Sequence, residues 1–293
     1  MTSLKEIKGR ISSIRNIWKI TSAMRMIAAA KLHRAQGAVA NVFLYELRLH
    51  EMLSALLSLE GALASPYTRS SKEVKKVAIV ALSSNSSLCG AFNMNVLKKL
   101  NATIREEFSQ LRQEDIFIFP VGRKIHDAVL REGYLPQDDF HKMAEKPNYS
   151  DAASLSRRLT ELFCTHQVDR IVIVHNHFKS MAAQIPTLET YLPYSSCKKD
   201  SKSVGNRKVA PDFILEPSRE KLISLLLPKV LELKIFTTLL DSAAAEHAAR
   251  TIAMQTATEN AEELLNDLTL VYNKSRQQAI TNELLDIVGG TAR

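Results

Sequence analysis

Glycine and proline are scarce in this chain, with nine of each among 293 residues. Residues 221–288 contain no glycine and a single proline, Pro228. Because these residue types form turns and interrupt helices, their scarcity excludes a fold rich in tight turns and favours long helices. The three cysteines are far apart and lack CxxC spacing, which argues for a reducing compartment and against a zinc site. Cys89 follows a predicted strand without an assignable base, so we expect a packed thiol.

Long uncharged apolar runs are also missing. No such run approaches the ~18 residues that a membrane-spanning helix needs. Lys5, Lys8, Arg10 and Arg15 interrupt the first apolar positions, which excludes a secretory signal peptide. The N-terminus is basic and amphipathic like a mitochondrial presequence, but its pattern continues unbroken into the following helix. We therefore interpret this segment as mature protein.

Nucleotide-binding motifs are absent as well. No GxGxxG follows a predicted strand, and the Gly-Arg-Lys sequence from Gly122 lacks the upstream glycine of a P-loop. His175 and His177 alternate on one strand face and could bind a metal, but no third ligand of matching spacing is evident. An edge-strand or surface role is favoured for this pair. The sequence therefore predicts no cofactor, no metal site and no catalytic residue.

What the chain does contain is apolar or small residues at helical spacing near both ends. In the C-terminal stretch they recur every three to four places, which is the pattern of a coiled-coil seam. The predicted seam residues are Leu222, Leu226, Val230, Leu233, Phe236, Leu240, Ala243, His247, Met254, Ala261, Leu264, Leu268, Val271, Ala279, Leu284 and Ile287. A helix of this length, on the order of 100 Å at about 1.5 Å per residue, needs a partner helix.

The N-terminal stretch supplies that partner. Its seam residues are Leu4, Ile7, Ile11, Ile14, Trp18 and Thr21, followed after a phase shift by Met24, Ile27 or Ala28, Leu32, Ala35, Val39 and Val42. A phase shift of this kind is a stutter, which locally relaxes the supercoil. We predict that this helix continues to about Leu59.

Between the two helices, predicted strands alternate with predicted helices. Strands are predicted over residues 77–82, 116–121, 171–174, 184–192 and 213–215, and helices over 93–108, 124–131 and 149–167. This order is typical of a layered domain built from βαβ units. Pro186 places the 184–192 strand at an edge of the sheet, because proline cannot donate to a central ladder.

The predicted fold class is α/β, with a long antiparallel coiled coil of N- and C-terminal helices and an inserted Rossmann-like α/β domain. We divide the chain into a first helix over 1–60, the inserted domain over 70–195, a basic loop over 196–212 and a second helix over 213–293. The inserted domain must begin and end near one place, so the helices should run antiparallel from it. The second is longer by roughly 15 residues, or about 20 Å, and should end in a projecting tip.

Charge is unevenly distributed along the chain, whose formal net charge is +8. Residues 1–36 carry eight Lys or Arg against the single acid Glu6, whereas residues 241–286 carry eight acids against three basic residues. These ends are suited to lying side by side or to meeting different partners, and two solvated faces remain an alternative. A nucleic-acid-binding or scaffold coiled coil is the alternative function, although the basic helix lacks aromatic residues for base stacking.

One C-terminal segment, residues 272–283, is unusually dense in polar side chains. Arg276, Gln277, Thr281 and Glu283 lie on neighbouring turns of the predicted helix. Such a set of donors and acceptors fits a solvated face and fits contact with loops of a surrounding protein equally well. The residues alone leave both alternatives open.

Three motifs resemble signatures of a known family, the gamma subunits of F-type ATP synthases. They are KITSAMRMIAAAK at 19–31, AAEHAARTIAMQTATENA at 244–261, and LTLVYNKSRQ at 268–277 continuing to Gly290. The resemblance extends from one end of the chain to the other, including the inserted domain.

The chain departs from the family pattern in two places. The turn after the first strand usually reads Asp-Arg-Gly-Leu-Cys-Gly, but residues 85–90 here read Asn-Ser-Ser-Leu-Cys-Gly, which removes an acid–base pair. Gln255 stands where lysine is common. Relative to the chloroplast version, this chain has only Cys197 near the comparable region, so no disulfide regulation is expected.

The resemblance implies a non-catalytic subunit that serves as the central rotary shaft of the enzyme. The implied partners are the alpha and beta subunits, the epsilon subunit and the membrane ring of c subunits, with no nucleic acid and no direct membrane span. Arg276, Gln277 and Thr281 match family residues that contact beta-subunit loops, and Met24 and Arg250 match positions that couple shaft and beta subunits. The implied location is the cytoplasmic face of the bacterial inner membrane, as a peripheral protein.

Overall fold

The chain is described by a computed structural model that covers residues 4–58, 66–69, 74–194, 216 and 218–290. It forms two compact units. The first combines residues 1–30 with residues 250–293, and the second comprises residues 31–249. Two long helices, α1 (Leu4–Ser58) and α6 (Arg219–Gly290), contribute residues to both units.

The first unit is a pair of helices packed along a heptad seam. On α6 the buried or half-buried positions recur at alternating steps of three and four residues, as knobs-into-holes packing requires. The positions in this frame are Thr251, Met254, Thr258, Ala261, Leu265, Leu268, Tyr272, Ser275 and Ala279, with Ala253 and Ala257 half-buried beside it. The Thr258 hydroxyl donates a hydrogen bond of 3.0 Å to the Thr21 hydroxyl of α1. In antiparallel register from this pair, Leu4 lies level with Ser275, which is where the seam of α6 runs out.

The seam of α1 follows the sequence prediction. Leu4, Ile7, Ile11, Ile14, Trp18 and Thr21 are all buried or half-buried, and so are Met24, Ala28, Leu32, Ala35, Val39 and Val42. The predicted choice between Ile27 and Ala28 is settled, because Ala28 is 2% exposed and Ile27 is 58% exposed. The predicted stutter is wrong: Ala28 follows Ile7 by three whole heptads and Leu32 follows Trp18 by two, and Arg25 is half-buried between them, so the seam keeps one phase.

The prediction of the α6 seam is wrong at four positions. Leu264, Val271, Leu284 and Ile287 were predicted to face the partner helix, but all four are about half exposed or more. Thr251 and Thr258 instead occupy the seam positions of the heptad pattern. A search for apolar residues overlooks them because their side chains are polar. The Thr258 hydroxyl oxygen lies 2.7 Å from the Met254 carbonyl oxygen in the preceding turn of α6 as well as 3.0 Å from the Thr21 hydroxyl, so this polar group has partners on both helices.

The second unit contains a four-stranded sheet and the helices around it. In chain order its elements are β1 (Val77–Leu82), α2 (Phe92–Glu107), β2 (Ile116–Val121), α3 (Arg123–Arg131), α4 (His141–Glu145), α5 (Tyr149–Cys164), β3 (Arg170–Phe178) and β4 (Gln184–Leu192). Short 3₁₀ turns occupy Pro66–Thr68 and Gln113–Asp115. The strand order is β2-β1-β3-β4, with β1 parallel to β2 and β3, and β4 antiparallel to β3.

Both faces of the sheet are covered, which explains why β1 is an uninterrupted apolar strand. All six of its residues are buried. Val77, Ile79 and Ala81 pack against α2 and α3, whereas Ala78, Val80 and Leu82 belong to the core formed with α5 and with parts of α1 and α6. The helical pair within this unit is therefore anchored to one face of the sheet by a continuous apolar core.

Within the second unit, α1 and α6 run antiparallel. The Arg219 guanidinium donates to the Leu56 carbonyl at 2.8 Å, and Leu32 packs with Ala244 and Ala248. Residues nearer the start of α1 therefore contact residues nearer the end of α6, which confirms the predicted antiparallel direction. The helices contain 55 and 72 residues, so α6 is longer by 17, close to the predicted difference.

Most predicted elements of the sheet unit are confirmed, with changes at their ends. The bounds of β1, β2 and β4 are those predicted, and β4 is an edge strand. In contrast, β3 is longer than predicted, α5 ends at Cys164 rather than Gln167, and α4 was missed. The Asn148 side chain caps α5 by accepting from the Ser150 amide.

Other predictions fall outside what the structure describes. The strand over 213–215 and the whole basic loop over 196–212, which includes Cys197, lie outside the described residues. The described second helix begins at Arg219, within the predicted range of 213–293. The division into 1–60, 70–195, 196–212 and 213–293 stays a prediction.

A lysine joins three elements of the second unit. The Lys234 ammonium on α6 lies 2.6 Å from the Glu189 carboxylate on β4 and 3.9 Å from Glu46 on α1. Burial lowers the pKa of Lys234, but the two carboxylates outweigh it and the pKa is raised. Burial in turn raises the pKa of Glu46. The ammonium therefore neutralises two carboxylates that are mostly shielded from water.

Replacing this lysine should destabilise the second unit. Lys234→Met keeps the apolar stem but leaves both carboxylates without their cation, and we expect a loss of about 1–2 kcal/mol, because Lys234 is partly exposed and screening reduces the effect. Urea unfolding followed by circular dichroism measures it. Lys229→Met, at an exposed position of the same helix, is the control. Equal stability of the two variants would show that the three charged groups contribute nothing.

Candidate partner-binding surface

The predicted partner-contact residues of the C-terminal segment are all exposed. Arg276, Gln277 and Thr281 project from α6 in the first unit, away from the seam positions Ser275 and Ala279. Gln277 and Thr281 are four residues apart and share one helical face, with Arg276 at its border. The Thr281 hydroxyl donates to the Gln277 carbonyl at 2.9 Å. This bond is local to the helix, so it orients the threonine without covering its neighbours.

The guanidinium of Arg276 and the amide of Gln277 are available to another molecule. Among the residues that the structure describes, neither side chain has a hydrogen-bond or ion-pair partner. A guanidinium offers five donors in a rigid fork and an amide offers donors and an acceptor, so the pair can read carboxylates and backbone carbonyls of a facing loop. Both groups are exposed to solvent and could exchange their contacts with water for contacts with such a loop.

The end of α6 has no covering helix among the described residues. Residues 281–285 and Ile287 are all exposed, which agrees with the predicted projecting tip. Large apolar side chains accompany the polar ones, namely Leu264, Leu270, Val271, Ile280, Leu284, Leu285 and Ile287. On α1 of the same unit Ile17, Ile20, Met26 and Ile27 are also exposed. Apolar surface of this extent on a helix pair indicates a protein interface.

The exposed apolar residues are the part of this surface that sequence reasoning missed. Leu264, Val271 and Leu284 were assigned to the seam, which hid them as interface residues. A strict alternation of three- and four-residue steps from Thr251 would have placed Leu265, Leu268 and Tyr272 inward and those three outward. The spacing therefore contained enough information to place the three residues outward. It was overlooked because two of the residues that define the spacing are threonines rather than apolar residues.

The structure does not bring all five predicted residues together. Met24 and Arg250 are half-buried, and Arg250 already takes part in interactions within the described chain. Arg250 and Arg276 are 26 residues apart on one helix, or about 39 Å. The five residues therefore belong to at least two places along the first unit: a fully exposed one near the tip and a partly packed one at Met24 and Arg250.

The turn over residues 85–90, which departs from the family pattern, is held by hydrogen bonds of a side-chain amide. The Asn85 side chain accepts from the Arg123 amide at 2.9 Å and donates to the His141 carbonyl at 2.8 Å. It thereby ties the end of β1 to α3 and α4. Cys89 is buried, with its sulfur 3.2 Å from the Asn93 amide nitrogen, which confirms the predicted packed thiol.

One cluster in the second unit has the composition of a metal site. His175 and His177 on β3 lie beside Asp241 on α6, and one ligand atom from each lies within 4.8 Å of the others. Sequence reasoning found the two histidines but not Asp241, which is 64 residues away from His177 along the chain.

No helix of the described chain is long and apolar enough to cross a membrane.

These features define a class of protein: a partner-binding subunit built on a long heptad-packed helix pair with an α/β sheet inserted in its sequence. The ATP synthase family model matches residues 3–292. The chain belongs to the family of ATP synthase gamma chains.

Relatives from bacteria match over nearly their full length. An ATP synthase gamma chain from Bacteroides thetaiotaomicron is 52% identical over 298 residues, covering 99% of each chain. One from Flavobacterium johnsoniae is 42% identical over 292 residues, covering 99% of this chain and 98% of the relative. Identity of this level over the whole length places the chain in the family without reference to any single motif.

Solved structures share the fold at much lower identity. A chain of the Euglena gracilis mitochondrial ATP synthase, in an OSCP/F1/c-ring structure in rotational state 3, matches with a TM-score of 0.66 at 19% identity and covers 99% of this chain and 93% of that chain. A chain of the rotor of the same enzyme in rotational state 1 matches with a TM-score of 0.61 at 18% identity, covering 94% and 98%. Both confirm the predicted fold class.

Proposed function

We propose that this chain is the central rotary shaft of an F-type ATP synthase. It couples ion flow through a membrane ring to ATP synthesis or hydrolysis on surrounding beta subunits, and it makes and breaks no bond itself. The observation that carries the proposal is the full-length match to ATP synthase gamma chains. The exposed mixed surface of the first unit supports it, because a shaft must offer contacts on its sides to the proteins around it.

The mechanism follows from unequal contacts. Each beta subunit meets a different side of the helix pair and is stabilised in the conformation that fits that side. A shaft can shift a conformational equilibrium only by the difference in its affinity for the two states, so rotation changes nucleotide affinity at each beta subunit in turn. Heptad packing and the absence of glycine over residues 221–288 give the helix the stiffness that torque requires.

The proposal assigns different partner subunits to different parts of the chain. In the proposal, Arg276, Gln277 and Thr281 contact loops of the beta subunits, Met24 and Arg250 couple shaft to beta subunit, and the alpha subunits complete the surrounding ring. The second unit contacts the epsilon subunit and the c-subunit ring. Its α1 segment exposes Phe43, Leu44, Leu47 and Met52, a row suited to a protein partner. A related structure, from Tetrahymena thermophila, is described as a central stalk with a c-ring.

The proposed location follows from these partners. A chain bound to a membrane ring without a spanning helix is a peripheral membrane protein. We place it on the cytoplasmic face of a bacterial inner membrane, since the relatives with the highest identities described above are bacterial gamma chains.

Met24 tests the packing of the first unit. Met24→Lys brings a charge to a half-buried seam position, and we expect a destabilisation of about 1–3 kcal/mol with impaired coupling in the assembled enzyme. Urea unfolding of the full chain and ATP-driven ion pumping measure the two effects. Met26→Lys is the control, because Met26 lies two residues away and is 62% exposed. Equal unfolding midpoints for the two variants would place Met24 in solvent.

Purification of the native complex tests the proposed function as a whole. An affinity tag on this chain should recover alpha, beta and epsilon subunits in fixed stoichiometry, with one copy of the tagged chain for every three beta subunits expected of a central shaft. Recovery of the chain alone, with salt-sensitive affinity for generic DNA, would reject the shaft and support the nucleic-acid-binding alternative.

A further inference from the structure

We propose that His175, His177 and Asp241 bind a divalent transition-metal ion of the zinc type, which cross-links the end of β3 to α6. The site lies wholly within the second unit. It does not depend on the proposed rotary function, because the claim concerns only the coordination chemistry of these three side chains.

The ligand types and count match an open zinc site. Zinc is bound by imidazole nitrogen and carboxylate oxygen, and sites with three protein ligands leave one position for water or another donor. His177 Nδ1 lies 2.8 Å from Asp241 Oδ2, and His175 Nε2 lies 3.5 Å from the same oxygen. In tetrahedral coordination with bonds of about 2.0–2.2 Å, ligand atoms stand roughly 3.3–3.5 Å apart. The His175 to Asp241 separation already fits, whereas the His177 to Asp241 separation must widen by roughly 0.5 Å.

The backbone holds these three side chains in place before any ion arrives. His175 and His177 alternate along β3, so both rings project from the same face of the strand. β3 is paired with β1 as far as Val174 and with β4 as far as Phe178, and Thr187 of β4 lies opposite His175. The second oxygen of Asp241 accepts from the Phe178 amide at 3.2 Å. A carboxylate fixed through its other oxygen is the outer-shell support that metal ligands usually have.

The charge state also suits a cation. Burial raises the pKa of Asp241, but its interactions with the two neighbouring histidines, His175 and His177, outweigh it and the pKa is lowered. The carboxylate is therefore ionised at neutral pH. Lys234, the neighbouring cation on α6, is held by Glu189 and Glu46, so it does not neutralise Asp241 by direct contact.

A hydrogen-bonded triad without metal explains the cluster less well. The 3.5 Å between His175 Nε2 and Asp241 exceeds the roughly 2.7–3.2 Å of a good N–H···O bond. His175 is buried, and its Nδ1 has no hydrogen-bond partner among the described residues. A buried imidazole with one long contact and no other is poorly satisfied. A metal ion at Nε2 would give this ring a strong bond that the protein alone does not supply.

Access to the site is open on one side. The His177 side chain is 54% exposed, whereas those of His175 and Asp241 are 3% and 16% exposed. An ion can therefore enter from solvent at His177, and the fourth coordination position faces water. Once bound, the ion would join a strand and a helix that are distant in sequence and raise the stability of the folded chain by mass action.

The test is titration of the full chain with Zn²⁺, followed by calorimetry and by the thermal unfolding midpoint, in a Cys164→Ser, Cys197→Ser background that removes competing thiols. Co²⁺ serves as a spectroscopic probe. We expect one ion per chain, a rise in the midpoint that a chelator reverses, and visible Co²⁺ bands of a tetrahedral site. His177→Gln and Asp241→Asn should each weaken binding by at least about 10–100-fold, the loss that outer-shell changes alone cause.

The control is a second histidine pair with similar composition. The rings of His126 and His141 lie 5.0 Å apart beside Asp127 and Asp139, yet these groups do not converge on one point. His141→Gln should leave Zn²⁺ affinity unchanged. Three results would overturn the proposal: no binding by the parent chain, unchanged affinity in His177→Gln, or equal loss in His141→Gln. His177 is exposed, so its variant keeps the test valid even if Asp241→Asn fails to fold.

Discussion

Replacing Arg276 and Gln277 together by alanine should uncouple ATP hydrolysis from ion pumping in the assembled enzyme. Both side chains are exposed near the tip of α6, and neither has a partner among the described residues. Their contribution therefore lies in contacts with another subunit. Coupling free energies between sites are about 1–3 kcal/mol, so the ratio of pumping to hydrolysis should fall by about 5–150-fold.

The measurement compares ATP-driven ion pumping with ATP hydrolysis in membranes that contain the whole complex. The isolated full chain should unfold within about 0.5 kcal/mol of the parent, because surface changes away from packed groups have small effects. Arg105→Ala with Gln110→Ala removes the same side-chain types from exposed positions of the second unit and is the control. Unchanged pumping in the tip variant, or equal loss in the control, would remove these residues from the coupling surface.

Gly122→Ala should have the largest effect on stability. Gly122 follows β2 with φ of 107°, a conformation that side chains rarely adopt. A Cβ atom there would lie 2.4 Å from the Ser83 carbonyl oxygen, which is backbone and cannot move aside cheaply. Strain of this kind costs about 1–3 kcal/mol, and the overlap adds to it, so we expect a loss of about 3 kcal/mol or more.

The reason for this close approach is the packing of the two parallel strands at their carboxyl ends. The Ser83 amide donates to the Val121 carbonyl at 2.8 Å, and the Ser83 hydroxyl accepts from the Ile125 amide at 3.0 Å. Any shift of Gly122 disturbs both bonds. Urea unfolding measures the loss.

Gly37→Ala is the matched control for this substitution. Gly37 lies inside α1, and a Cβ there would meet nothing within 4 Å. This control should stabilise the chain by about 0.5–1 kcal/mol. A stable Gly122→Ala variant would mean that the turn tolerates a side chain.

Local patterns in the sequence identified most of the elements. A buried parallel strand needs an uninterrupted apolar run, so the bounds of β1 and β2 follow directly from their residues. The residues of the α1 seam were predicted correctly because its inward positions are nearly all apolar, although the predicted stutter was wrong. On α6 the same reasoning failed at Leu264 and Val271, since threonine at Thr251 and Thr258 keeps the frame.

The candidate sites were predicted unevenly for a physical reason. Arg276, Gln277 and Thr281 lie within one short helical segment, so their shared exposure follows from spacing alone. His177 and Asp241 meet only because β3 packs against α6, and no local period encodes a contact across 64 residues. The Asn85 hydrogen bonds to Arg123 and His141 are likewise long-range.

The sequence by itself determined the helices, the strands, the antiparallel direction of the long helices and the family, because each depends on periodicity, chain order or a contiguous motif. The tertiary structure alone decided the strand order and the gathering of two histidines with a distant aspartate. Those features depend on which surfaces bury each other, and burial is a property of the whole fold rather than of any one segment.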